Sequence, residues 1–206
     1  MLVDYLCLGA VQTNCYFLQN EETKQLLIVD PGDNAPAIFK KVQELGGKAE
    51  AIFLTHGHFD HILACKEVAE HYSIPVYAYE QEEALLADPR QNLSEMAGCK
   101  AAIKPDVLLK DGEKVEKAGF SFQVLHTPGH TKGSCCYFFP EEKILMSGDT
   151  LFRCSCGRTD FPGGSYESMQ KSLKMLISSL PEETKVYPGH DGSSTIGDEK
   201  RLNPFV

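Results

Sequence analysis

The chain has 206 residues, 42% hydrophobic and 24% charged, which suits one globular domain spanning 1–206 with a sizeable core. Its formal charge of −9 argues against nucleic acid or an anionic membrane surface as the main partner, because both need a basic footprint. No basic leader precedes an apolar stretch and no window is long enough to cross a bilayer, so a soluble, cytoplasmic protein is expected; nothing in the sequence speaks to its oligomeric state.

Residues 14–20 and 25–30 read as paired strands, after which Ala35, Ile38, Phe39, Val42 and Leu45 fall at helical spacing. Ala49–Thr55 is a short apolar run, read as a buried strand. Ile62, Cys65, Val68, Ala69 and Tyr72 then predict a helix over 62–72, and Pro75–Tyr79 another strand. Residues 80–104 are mixed, with helical turns. Strands are predicted at 114–118 and 120–127, and at 134–139 and 143–148, the latter pair joined by the hairpin signal Pro140-Glu141-Glu142. A helix at 165–180, a strand at 185–188 and a short helix near 197–202 complete the chain. Two strand-rich halves that each supply helices suit two sheets packed face to face with helices outside, although pattern alone also allows other mixed folds.

The eight cysteines include no Cys-x-x-Cys pair, so reduced and mostly buried thiols are expected rather than a cysteine-based zinc site. Histidine is the informative residue. Of seven in the chain, three lie in Thr55-His56-Gly57-His58-Phe59-Asp60-His61, between an apolar strand and a helix. A loop at a strand end can aim several side chains at one point, and Gly57 would let the backbone turn between the first two histidines. One ion does not comfortably take all four donors from so short a loop, whereas two adjacent ions do. Matching donors stand behind a glycine at the end of other apolar strands: His130 after Gly129, Asp149 after Gly148 and His190 after Gly189. Imidazole with carboxylate suits zinc, iron or manganese, so the ligand set does not choose the metal; zinc is the expected ion, with iron or manganese as alternatives. His71 and His126 have no such context and read as structural.

These residues resemble the metallo-β-lactamase superfamily over nearly the whole chain. The resemblance implies an α/β fold built as a four-layer α/β/β/α sandwich of two mixed sheets. It also implies one metal on His56, His58 and His130, a second on Asp60, His61 and His190, and Asp149 bridging them. Asp30, in Val29-Asp30-Pro31-Gly32, matches a position that supports the metal loops from behind. Within the superfamily, Gly148–Arg153, Gly157–Gly164 and Thr195–Phe205 are similar to the glyoxalase II-type hydrolases. The activity implied is hydrolysis of a thioester such as S-lactoylglutathione or a related acyl-thiol by a metal-bound hydroxide, with Asp60 and Asp149 as the catalytic carboxylates. Only 16 residues follow His190, so the C-terminal glutathione-binding domain of longer relatives is not expected, and the thiol carrier need not be glutathione. Arg153 and Arg158 are the candidate substrate cations. A rival reading is a mononuclear-iron persulfide dioxygenase, whose Cys-Gly-Arg-Thr-Asp-Phe segment resembles 156–161.

Overall fold

Alternation along the strands decides how the chain layers. A computed structural model describes residues 1–206. Strand β1 (Leu2–Leu8) pairs antiparallel with β2 (Thr13–Gln19), which pairs in the same sense with β3 (Gln25–Val29). Helix α1 (Ala35–Glu44) starts where the Asn34 side chain accepts the Ala37 N–H and Pro36 occupies the first turn, where its missing N–H costs nothing. It returns the chain to β4 (Lys48–Phe53), parallel to β3. Helices α2 (Phe59–Ile62) and α3 (Cys65–Tyr72) lead to β5 (Val76–Tyr79); a 3-10 turn at Glu80–Glu82, helix α4 (Glu83–Ala87) and a long irregular segment reach β6 (Val107–Leu109). These six strands form one mixed sheet in chain order.

The second sheet contains β7 (Lys114–Lys117), β8 (Phe120–His126), β9 (Cys135–Phe139) and β10 (Ile144–Gly148) as an antiparallel meander. A small hairpin, β11 (Leu151–Phe152) and β12 (Ser155–Cys156), precedes helix α5 (Tyr166–Ser179), which Ser165 caps. The helix feeds β13 (Lys185–Pro188), parallel to β10, and β14 (Ser194–Thr195) and helix α6 (Ile196–Leu202) follow. The second sheet therefore has the order β14-β13-β10-β9-β8-β7.

Because successive strand residues face opposite ways, β3 sends Leu26 and Ile28 toward α1 and α3, and Leu27 and Val29 toward the other sheet. Three apolar layers result. One lies between the first sheet and α1 and α3, one between the sheets, and one between the second sheet and α5, where Met169, Leu173 and Leu176 meet Leu145 and Val186. This is the α/β/β/α sandwich of two mixed sheets. Phe53 sits fully buried between the sheets against Tyr77, Phe122 and Tyr137, and its truncation to Ala would cost about 3–5 kcal/mol.

Three details differ from the sequence reading. The 62–72 helix is broken at Leu63–Ala64, and the separate turn α2 takes in Asp60 and His61. β1, β6, β14 and the β11–β12 hairpin were not expected; all but β1 are two or three residues long, too short for alternation to register. Four of the eight cysteines are buried rather than most of them, and none is in a disulfide.

The sheets are tied at one rim. Asn14 N–H donates to the Gly189 carbonyl (2.7 Å), Cys135 N–H to that of Thr55 (2.9 Å), and the Tyr137 hydroxyl to that of Leu54 (2.6 Å). The C-terminal ends of β3, β4, β8, β10 and β13 all open on this rim.

Candidate metal centre

Local structure aims the donors. His58 stands extended at the start of α2, so His56 and His58 leave from an open segment while Asp60 and His61 leave from a helical turn, in different directions. Gly57 has no left-handed φ, but a Cβ there would press on the Leu85 and Leu86 side chains at 2.8 Å, so glycine spares this turn a clash, as expected. Gly148 does adopt φ +48°, and a Cβ on it would run into Thr55. At Gly189 a Cβ would strike Asp149 Oδ1 and come within 2.7 Å of His61 Cε1, so only glycine lets this loop close on the site.

The structure brings all seven expected donors together. His56, His58 and His130 form one group and Asp60, His61 and His190 another, the donor atoms of each lying within 4.8 Å of one another. His58 Nδ1 and His130 Nε2 approach to 2.8 Å. Asp149 lies between the groups: Oδ2 is 3.4 Å from His130 Nε2 and 3.5 Å from His190 Nε2, and Oδ1 is 3.4 Å from His61 Nε2. Asp60 Oδ2 lies 3.3 Å from His190 Nε2 and 3.5 Å from His61 Nε2.

Each imidazole except that of His58 anchors Nδ1 outside the cluster and turns Nε2 inward. His61 Nδ1 donates to Asp30 (3.0 Å), His130 Nδ1 to the Arg158 carbonyl (2.8 Å) and His190 Nδ1 to the Gln12 carbonyl (3.4 Å), while His56 Nδ1 meets the Thr55 hydroxyl at 3.2 Å. Such partners fix the orientation of each ring and leave Nε2 as the nitrogen that would face a cation, once any proton on it has left. Asp30, just past β3 at φ +51°, also accepts the Thr55 N–H (2.8 Å) and hydroxyl (2.6 Å), so one carboxylate braces the loop and orients His61.

The residues fit a cation pair. His56 Nε2, His61 Nε2 and Asp149 Oδ1 are buried with no hydrogen-bond partner, an arrangement that costs free energy unless something accepts their lone pairs. Electrostatics agree. Burial, reinforced by neighbouring histidines, pushes His56 well below the usual imidazole range and His58 down to about 3, which keeps both neutral donors. In the other half, burial of His190 is outweighed by its bonds to Asp149 and Asp60, and the ring is held at about 10. Burial of His61 is likewise overcome by Asp60, Asp149 and Asp30, which raise it well above the ordinary value. Burial alone would raise Asp60, yet the His61 charge and the His190 bond hold it at about 2. The carboxylates therefore favour positive charge in the half around His61 and His190.

Several contributors escaped the sequence reading. The Thr13 hydroxyl donates to Asp60 Oδ2 (2.7 Å) and fixes that carboxylate. Glu82, 1% exposed, accepts the Gly57 N–H through Oε1 and the Gly133 N–H through Oε2, both at 2.9 Å, clamping the loop of His56 and His58 to the loop that follows His130. Burial drives the Glu82 carboxyl up to about 7, against the Gly57 N–H, the Thr131 hydroxyl and the Gly133 N–H, which pull it down. The polar residues Gln12-Thr13-Asn14 where β2 begins hinted at Thr13, but Glu82 sits in Glu80-Gln81-Glu82-Glu83, which reads as a solvated face.

A cavity of about 490 Å³ opens over the cluster, with Phe59, Leu93, Phe152, Cys156, Arg158 and Phe161 in its wall. Arg158 forms a bidentate pair with Asp160 (2.7 Å for both bonds) and lies 3.8 Å over the Phe161 ring. Arg153 and Cys154 are exposed, and neither lines the cavity. Cys156 is half-buried in the wall, and burial raises its thiol. His71 stacks on Phe39 and His126 on Tyr79, both away from the cluster.

The sequence model of the metallo-β-lactamase superfamily matches residues 8–190. The chain is 39% identical over 200 residues to YqgX of Bacillus subtilis, described as a probable metallo-hydrolase, covering 96% of this chain and 94% of that protein. It is 32% identical over 209 residues to the hydroxyacylglutathione hydrolase GloC of Haemophilus influenzae, covering 100% and 98%. Among solved structures, BLEG-1, a B3 metallo-β-lactamase, superposes with a TM-score of 0.94 at 40% identity over 99% of each chain. TTHA1623 in a di-iron-bound form gives 0.86 at 37% identity, covering 98% of this chain and 100% of that one. ETHE1 from Myxococcus xanthus gives 0.80 at 30% identity, covering 99% and 84%.

Proposed function

The chain belongs to the metallo-β-lactamase superfamily and is a binuclear metallohydrolase; from that premise we propose that it cleaves thioesters. In this reading His56, His58 and His130 would hold one ion and Asp60, His61 and His190 the second, with Asp149 available to both, zinc being the first choice of metal and iron or manganese the alternatives. The observation that carries it is the Asp149 carboxylate, whose two oxygens face the inward nitrogens of both groups within 3.5 Å. When bound, the ions would supply Lewis acidity, bringing the pKa of water toward about 7 and stabilising charge on an acyl oxygen.

The chain's own groups then set the substrate. Thr13 and the histidines hold Asp60 and Asp149 ionised, so both can orient a nucleophilic water by accepting its protons. The apolar wall excludes competing water. Outside the donor cluster, the titratable groups in the cavity are Cys156 and Arg158. Burial makes the first a weaker acid and Asp160 occupies the second, so neither is a strong proton donor for a departing amide nitrogen. A thiolate, whose conjugate acid has a pKa of about 8.5, departs without that help. The likeness to the Haemophilus hydroxyacylglutathione hydrolase supports the same choice. A second reading, a mononuclear-iron persulfide dioxygenase, draws on Cys156 in the cavity wall.

The test is metal content of the purified protein together with S-lactoylglutathione hydrolysis before and after chelation. Two metals per chain and chelator-sensitive cleavage support the reading. One iron per chain, no hydrolysis and oxygen uptake with a glutathione persulfide would replace it with the dioxygenase. Cleavage of a β-lactam but of no thioester would move the substrate class instead.

A further inference from the structure

One cavity has no role in this scheme. Beside the main cavity, and sharing Val11, Phe59 and Asp60 with it, lies a second of about 290 Å³. Leu8–Val11 after β1 forms one wall, and Leu63, Ala97 and Cys99 stand among the residues of the other. Its lining is mainly hydrophobic and holds no cation. Its carboxylates are engaged: Asp33 Oδ1 accepts the Asn34 N–H (2.6 Å), and Asp60 Oδ2 the Thr13 hydroxyl (2.7 Å). Val11, at the junction of the two cavities, is 48% exposed. A large aliphatic side chain left in water beside an apolar recess is the kind of surface that a ligand covers.

The geometry points to this side cavity as the seat of a linear aliphatic acyl chain, whose carbonyl lies at the metal-facing donors and whose tail passes between Val11 and Phe59. The inference rests on the thioesterase reading and narrows it. The two cavities adjoin, with Val11, Phe59 and Asp60 in the walls of both, which puts the recess beside an acyl group bound in the main one. Its apolar wall favours methylenes, and the Asp33 and Asp60 charges disfavour the carboxylates of a peptidic thiol, which leaves the main cavity to the carrier. The preferred substrate class is therefore a thioester of a medium-chain fatty acid rather than of a short hydroxy acid.

The experiment uses metal-replete protein and N-acetylcysteamine thioesters, whose carrier is small and neutral, with acetyl, butyryl, hexanoyl and octanoyl groups. Burying each methylene is expected to raise kcat/KM about 4-fold until the recess is full. Ala97→Phe, at an exposed rim position that donates nothing to the metal cluster, fills the recess; it should flatten the series and spare the acetyl ester. A flat series in the wild type, or equal loss on all esters in the variant, overturns the assignment. The uncleavable octyl and ethyl thioethers of N-acetylcysteamine, titrated by calorimetry, separate the two levels. If no thioester is cleaved but octyl binds more tightly than ethyl and Ala97→Phe abolishes the difference, the recess stands and the thioesterase reading falls. If octyl shows no preference, the recess assignment falls.

Discussion

Replacing Glu82 by Gln asks how much the clamp between the two histidine loops costs. Glu82 is 1% exposed, its oxygens accept the Gly57 and Gly133 N–H groups, and its carboxyl is pushed from 4.5 to about 7. A folded-state pKa above the unfolded one means that the folded protein holds this proton more tightly. Stability is therefore lost as pH rises from about 4.5 through about 7 and is constant above that range. At 1.36 kcal/mol per pKa unit, the wild type should lose roughly 2 to 3 kcal/mol between pH 5 and pH 8 from this group. Glutamine cannot ionise and escapes that loss. Its amide, however, turns an N–H toward one of the two backbone N–H groups, leaving a buried donor unmet at a cost of about 1–3 kcal/mol. Glu82→Gln should thus be less stable than wild type at pH 5, with the gap closing by roughly 2 to 3 kcal/mol by pH 8. Urea denaturation of both proteins in chelator, at both pH values, measures it, since titration of the histidine cluster is common to both and cancels. Parallel stability profiles would show that Glu82 does not carry the buried charge described here.

Four further outcomes follow from the site. His58→Ala should cut metal content and turnover together by 100-fold or more, on the order of 3 kcal/mol, and retained activity with unchanged metal would remove His58 from the ligand set. Asp149→Asn should keep the circular dichroism spectrum but bind its metals more weakly in a competition titration; two tightly held metals would mean that Asp149 does not bridge. Asp30→Asn leaves His61 with an amide where it had a carboxylate partner and should weaken metal binding roughly 10- to 100-fold, so an unchanged affinity would reduce Asp30 to a loop brace. Gly189→Ala places a methyl against Asp149 and His61 and should lower metal stoichiometry while the protein still melts cooperatively; full occupancy would show that the loop yields.

Much of this was legible locally. The mainly apolar stretches at 25–30, 49–55 and 143–148 announced strands, and the one at 49–55 a buried strand, because burial on both faces leaves little place for polar residues. Each donor stood behind a strand end, and four stood directly behind a glycine, because a chain leaving a sheet has few ways to turn side chains back over its edge. The spacing of His56, His58, Asp60 and His61 already argued for two ions rather than one. Gly57 was expected to spare its turn a Cβ clash, and only the assembled fold shows that the Leu85 and Leu86 side chains of α4 are what such a Cβ would meet.

The sequence alone determined the strand and helix periods, the donor types and their place at strand ends, since these depend on neighbours a few residues away. Only the tertiary structure brought these donors within reach of one another. His58 meets His130 across 72 residues, Thr13 fixes Asp60 across 47, and Glu82 joins two loops across 25 and 51. It also showed Arg158 already engaged by Asp160 and opened the apolar recess beside Val11. A carboxylate in a charged run looks solvated until packing removes the water, and a recess exists only where two distant segments fail to touch. Such features belong to the assembled surface, and no local pattern carries them.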